Sequence, residues 1–173
     1  LRPLSTKGCA GHQNAAPCFW MDVLLFSNST NRDDLLLGHA KREIAEFASN
    51  RDILFLPYGR ADHDAWTSEV RRALGFPVRS AHEELRPALA ITEAECVLVG
   101  GGNTFMLLDA LYALGVMSAL RERVFLSKAR YIGFGSGTAV ASPSIRTALD
   151  APVVEPPSFL SLSLVPFQVV THF

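Results

Sequence analysis

Between Asp22 and Phe134 the chain alternates short apolar runs with longer stretches in which apolar residues recur every three or four positions. The first run, "DVLLFS" (22–27), is continuous and leaves through Ser27, Asn28, Ser29 and Thr30, which predicts a strand with a polar exit. Residues 35–48 then set Leu37, Ala40, Ile44 and Phe47 on one face at helical spacing. "DILFLPYG" (52–59) predicts a second strand, stopped by Pro57 and Gly59. In "DHDAWTSEVRRALG", Trp66, Val70, Ala73 and Leu74 predict a helix that ends at Gly75. "PVRSAH" predicts a short strand, and "EELRPALA" a weak helix or a turn broken by Pro87. "ECVLVGGG" is a fourth strand, "NTFMLLDALYAL" a helix, and "VMSALRERVFLS" its continuation or restart after Gly115. "RYIGFG" is the fifth strand, and a further strand pattern is expected just before the final "VVTHF".

Strands that are apolar throughout and separated by helices belong to a parallel sheet covered by helices on both faces, an α/β fold. Chemistry in such sheets gathers at the carboxyl ends of the strands. Four segments fall there: Ser27–Thr30, Pro57–Arg60, Gly100–Thr104 and Gly133–Thr138. No repeat or linker interrupts the pattern, so residues 21–173 read as one domain. The first 20 residues have no periodic apolar pattern and no acidic residue, and are expected to be a disordered or non-native leader.

Composition narrows the partners. Sixteen basic against 17 acidic residues leave no field for gripping nucleic acid. No apolar run approaches the roughly 18 residues of a membrane span. Cys9, Cys18 and Cys96 form no even framework and no metal-ligand spacing, which suits a reducing cytoplasm. Cys96 falls inside an apolar strand pattern and reads as a small buried hydrophobe. A small-molecule partner is expected.

"VGGGNTF" is not a dinucleotide loop, because the third glycine of that pattern would fall on Phe105. It also lacks the Lys-Ser/Thr ending of a phosphate-binding loop. Two readings remain. It is either a tight turn with glycines for conformation alone, or a bare backbone turn at Gly101 and Gly102 whose N–H groups face the site, with Asn103 or Thr104 capping the next helix and Asn103 counted with the two glycines among the oxyanion or substrate-binding groups. "RYIGFGSGTAVASP" (130–143) has the strand, sharp glycine turn and helix of a nucleophile elbow.

Together, "LLFSNST", "FLPYG", "VGGGNTFMLL" and the stretch from "YIGFGSGTAV" to "VVTHF" resemble the peptidase E family of serine dipeptidases, in order and at compatible spacing from Met21 to Phe173. The resemblance implies a flavodoxin-like parallel sheet related to class I glutamine amidotransferases. It also implies cleavage of dipeptides with aspartate at the amino end, a serine activated by a histidine, and no metal or organic cofactor. Family members continue for several tens of residues beyond the position of Phe173, so the domain is expected to be incomplete at that end.

Carried over residue by residue, the family's flanking elbow glycines match Gly133 and Gly137, which sets the nucleophile position on Gly135. Ser136 takes the next place, where the family usually has alanine. A one-residue displacement at a helix start swings a side chain by about 100°. Ser136 is therefore expected to face solvent or cap the helix, its N–H remaining the oxyanion donor; the alternative is a shifted register that presents Ser136 as nucleophile. His172 matches the catalytic histidine, in "THF". Asp150 matches an aspartate of the family and is a candidate to orient it, or a turn residue before Pro152. Arg146 is a candidate for the aspartate-binding group, or a solvated surface charge. Two function classes stay open: a serine dipeptidase, and a non-catalytic binding domain on the same fold.

Deleting residues 1–20 is expected to leave the thermal midpoint within the ~2–4 °C that about 1 kcal/mol represents for a domain of this size. A larger drop would make the leader part of the fold.

Overall fold

In the computed structural model, which describes residues 21–30 and 35–171, β2 (Ile53–Leu56) and β4 (Cys96–Val99) are buried at every position. A strand buried on both faces needs neighbours on both sides and cover above and below. β1 (Val23–Phe26), β3 (Arg79–Ser80) and β5 (Arg130–Phe134) complete a sheet of order β1-β5-β4-β2-β3. Every pairing is parallel. Counted from β2, four strands follow the 2-1-3-4 order of a flavodoxin-like sheet, and β1 takes the fifth place.

The two-residue period of the strands divides the core into two layers. Ile53, Phe55, Cys96, Leu98, Ile132 and Phe134 face α1 (Lys41–Ala48) and α2 (His63–Leu74), meeting Ile44, Trp66, Val70 and Leu74. Leu54, Leu56, Val97, Val99 and Tyr131 face α3 (Pro87–Glu93), α4 (Thr104–Ala113) and α5 (Met117–Phe125), meeting Ile91, Leu107, Leu111, Leu120 and Val124. Cys96 is buried as expected, and burial pushes its thiol up to about 11.

Three local expectations are corrected. The first helix begins at Lys41 rather than near residue 35, because Leu37 adopts φ +55°, through which no right-handed helix runs. Leu37 and Ala40 are buried all the same, from a turn anchored by the Leu37 N–H on Ser29 O at 2.7 Å. Pro87 does not break a helix but starts one, since the first helical residue needs no N–H partner and proline's fixed φ suits it. The strand pattern preceding "VVTHF" is irregular backbone, with one isolated antiparallel bridge upstream, Ser144 to Leu160. Gly115, at φ +66°, ends α4, and α5 restarts at a bend of 96°. Among the described residues no single helix is long and apolar enough to cross a membrane.

Parallel strands bring all four expected site segments to one end of the sheet. The chain leaves β2 for β3 on one side and returns to β4 on the other, so the exits of β2 and β4 flank the switch point. The turn after β5 is next in line.

Candidate active site

After β5 the backbone turns at Gly135 into α6 (Ser136–Ala139). Gly135 has φ +54° and ψ −118°, a conformation that costs a residue with a side chain about 1–3 kcal/mol. Its surroundings hold it there. The Gly135 N–H donates to Phe26 O at 3.1 Å, and Thr138 Oγ1 lies 2.6 Å from that same oxygen and 2.9 Å from Gly133 O. The Tyr131 phenol, buried in the sheet, donates to Gly137 O at 2.6 Å. Burial pushes that phenol far above its ordinary range, so it keeps its proton.

The flanking glycines are required sterically. A Cβ on Gly137 would lie 2.1 Å from Val99 O, and one on Gly133 would lie 2.6 Å from Gly137 O. The helix start is pressed onto the ends of β4 and β5, and position 135 is the apex between two residues that must lack side chains.

Ser136 departs from its expected orientation. It faces neither solvent nor its own helix: it is 1 % exposed, and its hydroxyl donates to Gly102 O at 2.5 Å. One step past the apex the side chain does swing away, but the loop after β4 already occupies that direction. The strand order decides this, and a linear sequence does not show it.

That loop is fixed from the β2 side. Gly100 N–H donates to Leu56 O at 3.2 Å and Asn103 N–H to Gly59 O at 2.6 Å. Gly102 has φ +138°, and a Cβ on it would be 2.1 Å from Gly59 O. Among the described residues the N–H groups of Gly101, Gly102 and Ser136 have no backbone acceptor. A Cβ on Gly101 would be 3.4 Å from Phe134 O, so loop and elbow adjoin. Asn103, expected both as a cap and among the oxyanion or substrate-binding groups, caps α4. Its Oδ1 accepts from Phe105 and Met106 N–H to cap α4, and its Nδ2 donates to Ala151 O at 2.7 Å. These bonds use the Asn103 acceptor and one of its two amide N–H donors.

Asp150 lies at the same helix start, where its Oδ2 accepts from the Thr104 N–H at 2.9 Å and from the Thr104 hydroxyl. Arg146 is exposed, its guanidinium 5.7 Å from the centre of the Phe159 ring. His172 lies outside the described residues. Gly101, Gly102, Gly135 and Ser136 are therefore brought together, with Asp150 and Asn103 at the head of α4.

Sequence reasoning missed a polar chain at the exits of β2 and β3. Thr67 and Ser80 hydroxyls are 3.0 Å apart, Ser80 Oγ is 2.8 Å from His82 Nδ1, and His82 Nε2 is 2.9 Å from Asp64 Oδ1. His63 packs between the rings of Tyr58 and His82, at 5.3 and 5.5 Å. Burial, and then the neighbouring His82, hold His63 below its usual value, against the pull of Asp64 and Asp62. Burial pushes Tyr58 up to about 12. Only "DHD" at 62–64 offered a signal, because Asp64 and His82 meet across 18 residues.

The elbow and its glycine loop can be set beside known proteins. The model of peptidase family S51 matches residues 23–173. The chain belongs to peptidase family S51. The peptidase E of Streptomyces coelicolor is 45% identical over 157 residues, covering 88% of this chain and 64% of that protein. The probable alpha-aspartyl dipeptidase of Drosophila melanogaster is 40% identical over 158 residues, covering 88% and 66%. The chain thus spans about two thirds of the length of these curated relatives. Among solved structures, a peptidase from an acI-B1 Actinobacterium shares the fold with a TM-score of 0.60 at 18% identity, covering 88% of this chain and 69% of that one. The S51 assignment agrees with the family resemblance and with the parallel α/β sheet.

Two outcomes are expected. Gly137→Ala forces a methyl into the Val99 carbonyl and should cost about 1–3 kcal/mol or more, read as a lowered urea midpoint. His63 is held below its unfolded value, so the unfolded chain binds the proton more readily. Its contribution to stability is therefore lost as pH falls from about 6.5 through the lower folded value. Urea unfolding at pH 7.5 and pH 5 should show a smaller loss for His63→Gln than for the unmodified chain.

Proposed function

We propose that this S51 chain binds small dipeptides with aspartate at the amino end at the alpha-aspartyl dipeptidase site, and that it lacks covalent turnover because the elbow apex is glycine. One observation carries the reading: Gly135 alone takes the positive-φ apex between Gly133 and Gly137. In the dipeptidase chemistry an apex hydroxyl attacks the peptide carbonyl. The oxyanion that forms is met by backbone donors, a role suited to the N–H groups of Ser136, Gly101 and Gly102. His172 would carry the proton and Asp150 would orient it. The relatives' names support the substrate class, and the buried Cys96 thiol suits a reducing cytoplasmic setting.

The shifted register is disfavoured on physical grounds. Presenting Ser136 at the apex would break its bond to Gly102 O and move the positive φ onto a residue with a side chain, at about 1–3 kcal/mol for the strain alone. It would also displace Gly137 from the one position where Val99 O admits only a hydrogen. Without the hydroxyl, binding and oxyanion donors leave on the order of 10³–10⁴ over water, as in a serine protease stripped of its triad. That is too slow to register as turnover.

The unmodified chain is expected to show no cleavage of Asp-Leu and no labelling by a serine-directed fluorophosphonate. Gly135→Ser should acquire labelling at residue 135 if His172 stands beside it. Stoichiometric labelling of Ser136 in the unmodified chain would sink the reading and establish the shifted register.

A further inference from the structure

The loops that meet at the switch point carry a cation that the dipeptidase chemistry above does not use. Arg60 closes the turn after β2, its N–H donating to Pro57 O at 3.2 Å. Its guanidinium carbon lies 3.5 Å from the centre of the Trp66 ring, at stacking distance. Its stem runs along the glycine loop, since a Cβ on Gly102 would sit 3.0 Å from Arg60 Cγ. Gly102 O is the atom that accepts the Ser136 hydroxyl. Trp66 in turn meets Phe134, the residue before the apex, edge-on at 6.0 Å. Two contact paths therefore join Arg60 to the elbow, each through one residue.

Arg71, Arg79 and Arg130 stand toward the amino ends of the strands, away from the elbow, and are paired there. Arg71 forms a two-pronged pair with Glu83, Arg79 bonds Glu84, and Arg130 bonds Asp22. Arg146, a candidate for the aspartate-binding group or a solvated surface charge, is exposed, with its guanidinium 5.7 Å from the centre of the Phe159 ring. Arg60 bonds Glu69 at 3.1 Å, but the two side chains are 45 % and 46 % exposed. An ion pair that wet is weak and exchanges readily.

We propose that Arg60, its guanidinium against the Trp66 ring, is the carboxylate-binding group of this site and takes a carboxylate of the bound dipeptide in place of Glu69. A guanidinium supported by an aromatic ring presents its paired N–H groups in the fork geometry a carboxylate accepts. The proposal rests on the reading that the site binds acidic dipeptides. An Asp-Xaa dipeptide has two carboxylates, on the aspartyl side chain and at the carboxyl end, and either supplies this chemistry.

Calorimetric titration of the full chain with Asp-Leu, Asn-Leu and Asp-Leu amide tests it. The unmodified chain should bind Asp-Leu about tenfold or more tighter than one of the two neutralised peptides, and the peptide that suffers names the carboxylate. Arg60→Gln should bring that ratio close to one, Arg60→Lys should leave an intermediate ratio, and Glu69→Gln should tighten Asp-Leu binding. Equal weakening of all three peptides by Arg60→Gln would make Arg60 a merely structural residue and overturn the proposal, as would an unchanged ratio. Failure of the folded, unmodified chain to bind any of the three overturns the dipeptide reading itself, and this proposal with it.

Discussion

The start of α6 is pressed so closely onto the ends of β4 and β5 that Val99 O leaves room for no side chain at position 137. This contact fixes the rest of the site. With Gly137 against β4 and Gly133 beneath Gly137 O, the intervening backbone has to reverse within one residue, and the reversal falls on Gly135 at φ +54°. The Tyr131 phenol and the Phe26 carbonyl then tie the turn to the sheet on both sides. A turn held at so many points does not relax when its apex residue changes. The same rigidity that would position a side chain at the apex holds Gly135 there.

The neighbouring loop obeys a similar constraint. Gly102 and Gly59 approach so closely that the exits of β4 and β2 behave as one unit, with Asn103 N–H bonded to Gly59 O. Asn103 and Asp150 serve the same end by capping α4, which anchors the loop from its far side. The result is a floor of bare backbone beside the elbow, with Arg60 and Trp66 along the β2 edge. Polar side chains at the head of α4 maintain the shape of the site, and this is compatible with a second role for Asp150 because a carboxylate accepts several hydrogen bonds.

Burial and chemistry are separated in this molecule. Ser136, the one hydroxyl next to the apex, is buried and bonded, while the chain from Thr67 through Ser80 and His82 to Asp64 joins β3 to α2 away from the elbow. A serine, a histidine and an aspartate in hydrogen-bond sequence are here a tie between elements. Ser80, at 1 % exposure, offers nothing to a substrate.

The amino-acid sequence by itself determined the alternation of strand and helix and the parallel α/β class. Continuous apolar runs such as "CVLV" and "ILFL" demand burial on both faces. These are local properties, set by periodicity. That no side chain fits at Gly137 is a tertiary fact, because the obstacle is Val99 O on β4. Tertiary structure decided where Ser136 points, because the obstacle is a carbonyl 34 residues away on a neighbouring strand's loop. It also decided that Leu37 turns rather than winds, that Asp150 joins Asn103 at the head of α4, and that Arg60 runs along the glycine loop. Each of these depends on which strands lie side by side, and strand order follows from how two core layers close around the sheet, a property of the whole chain.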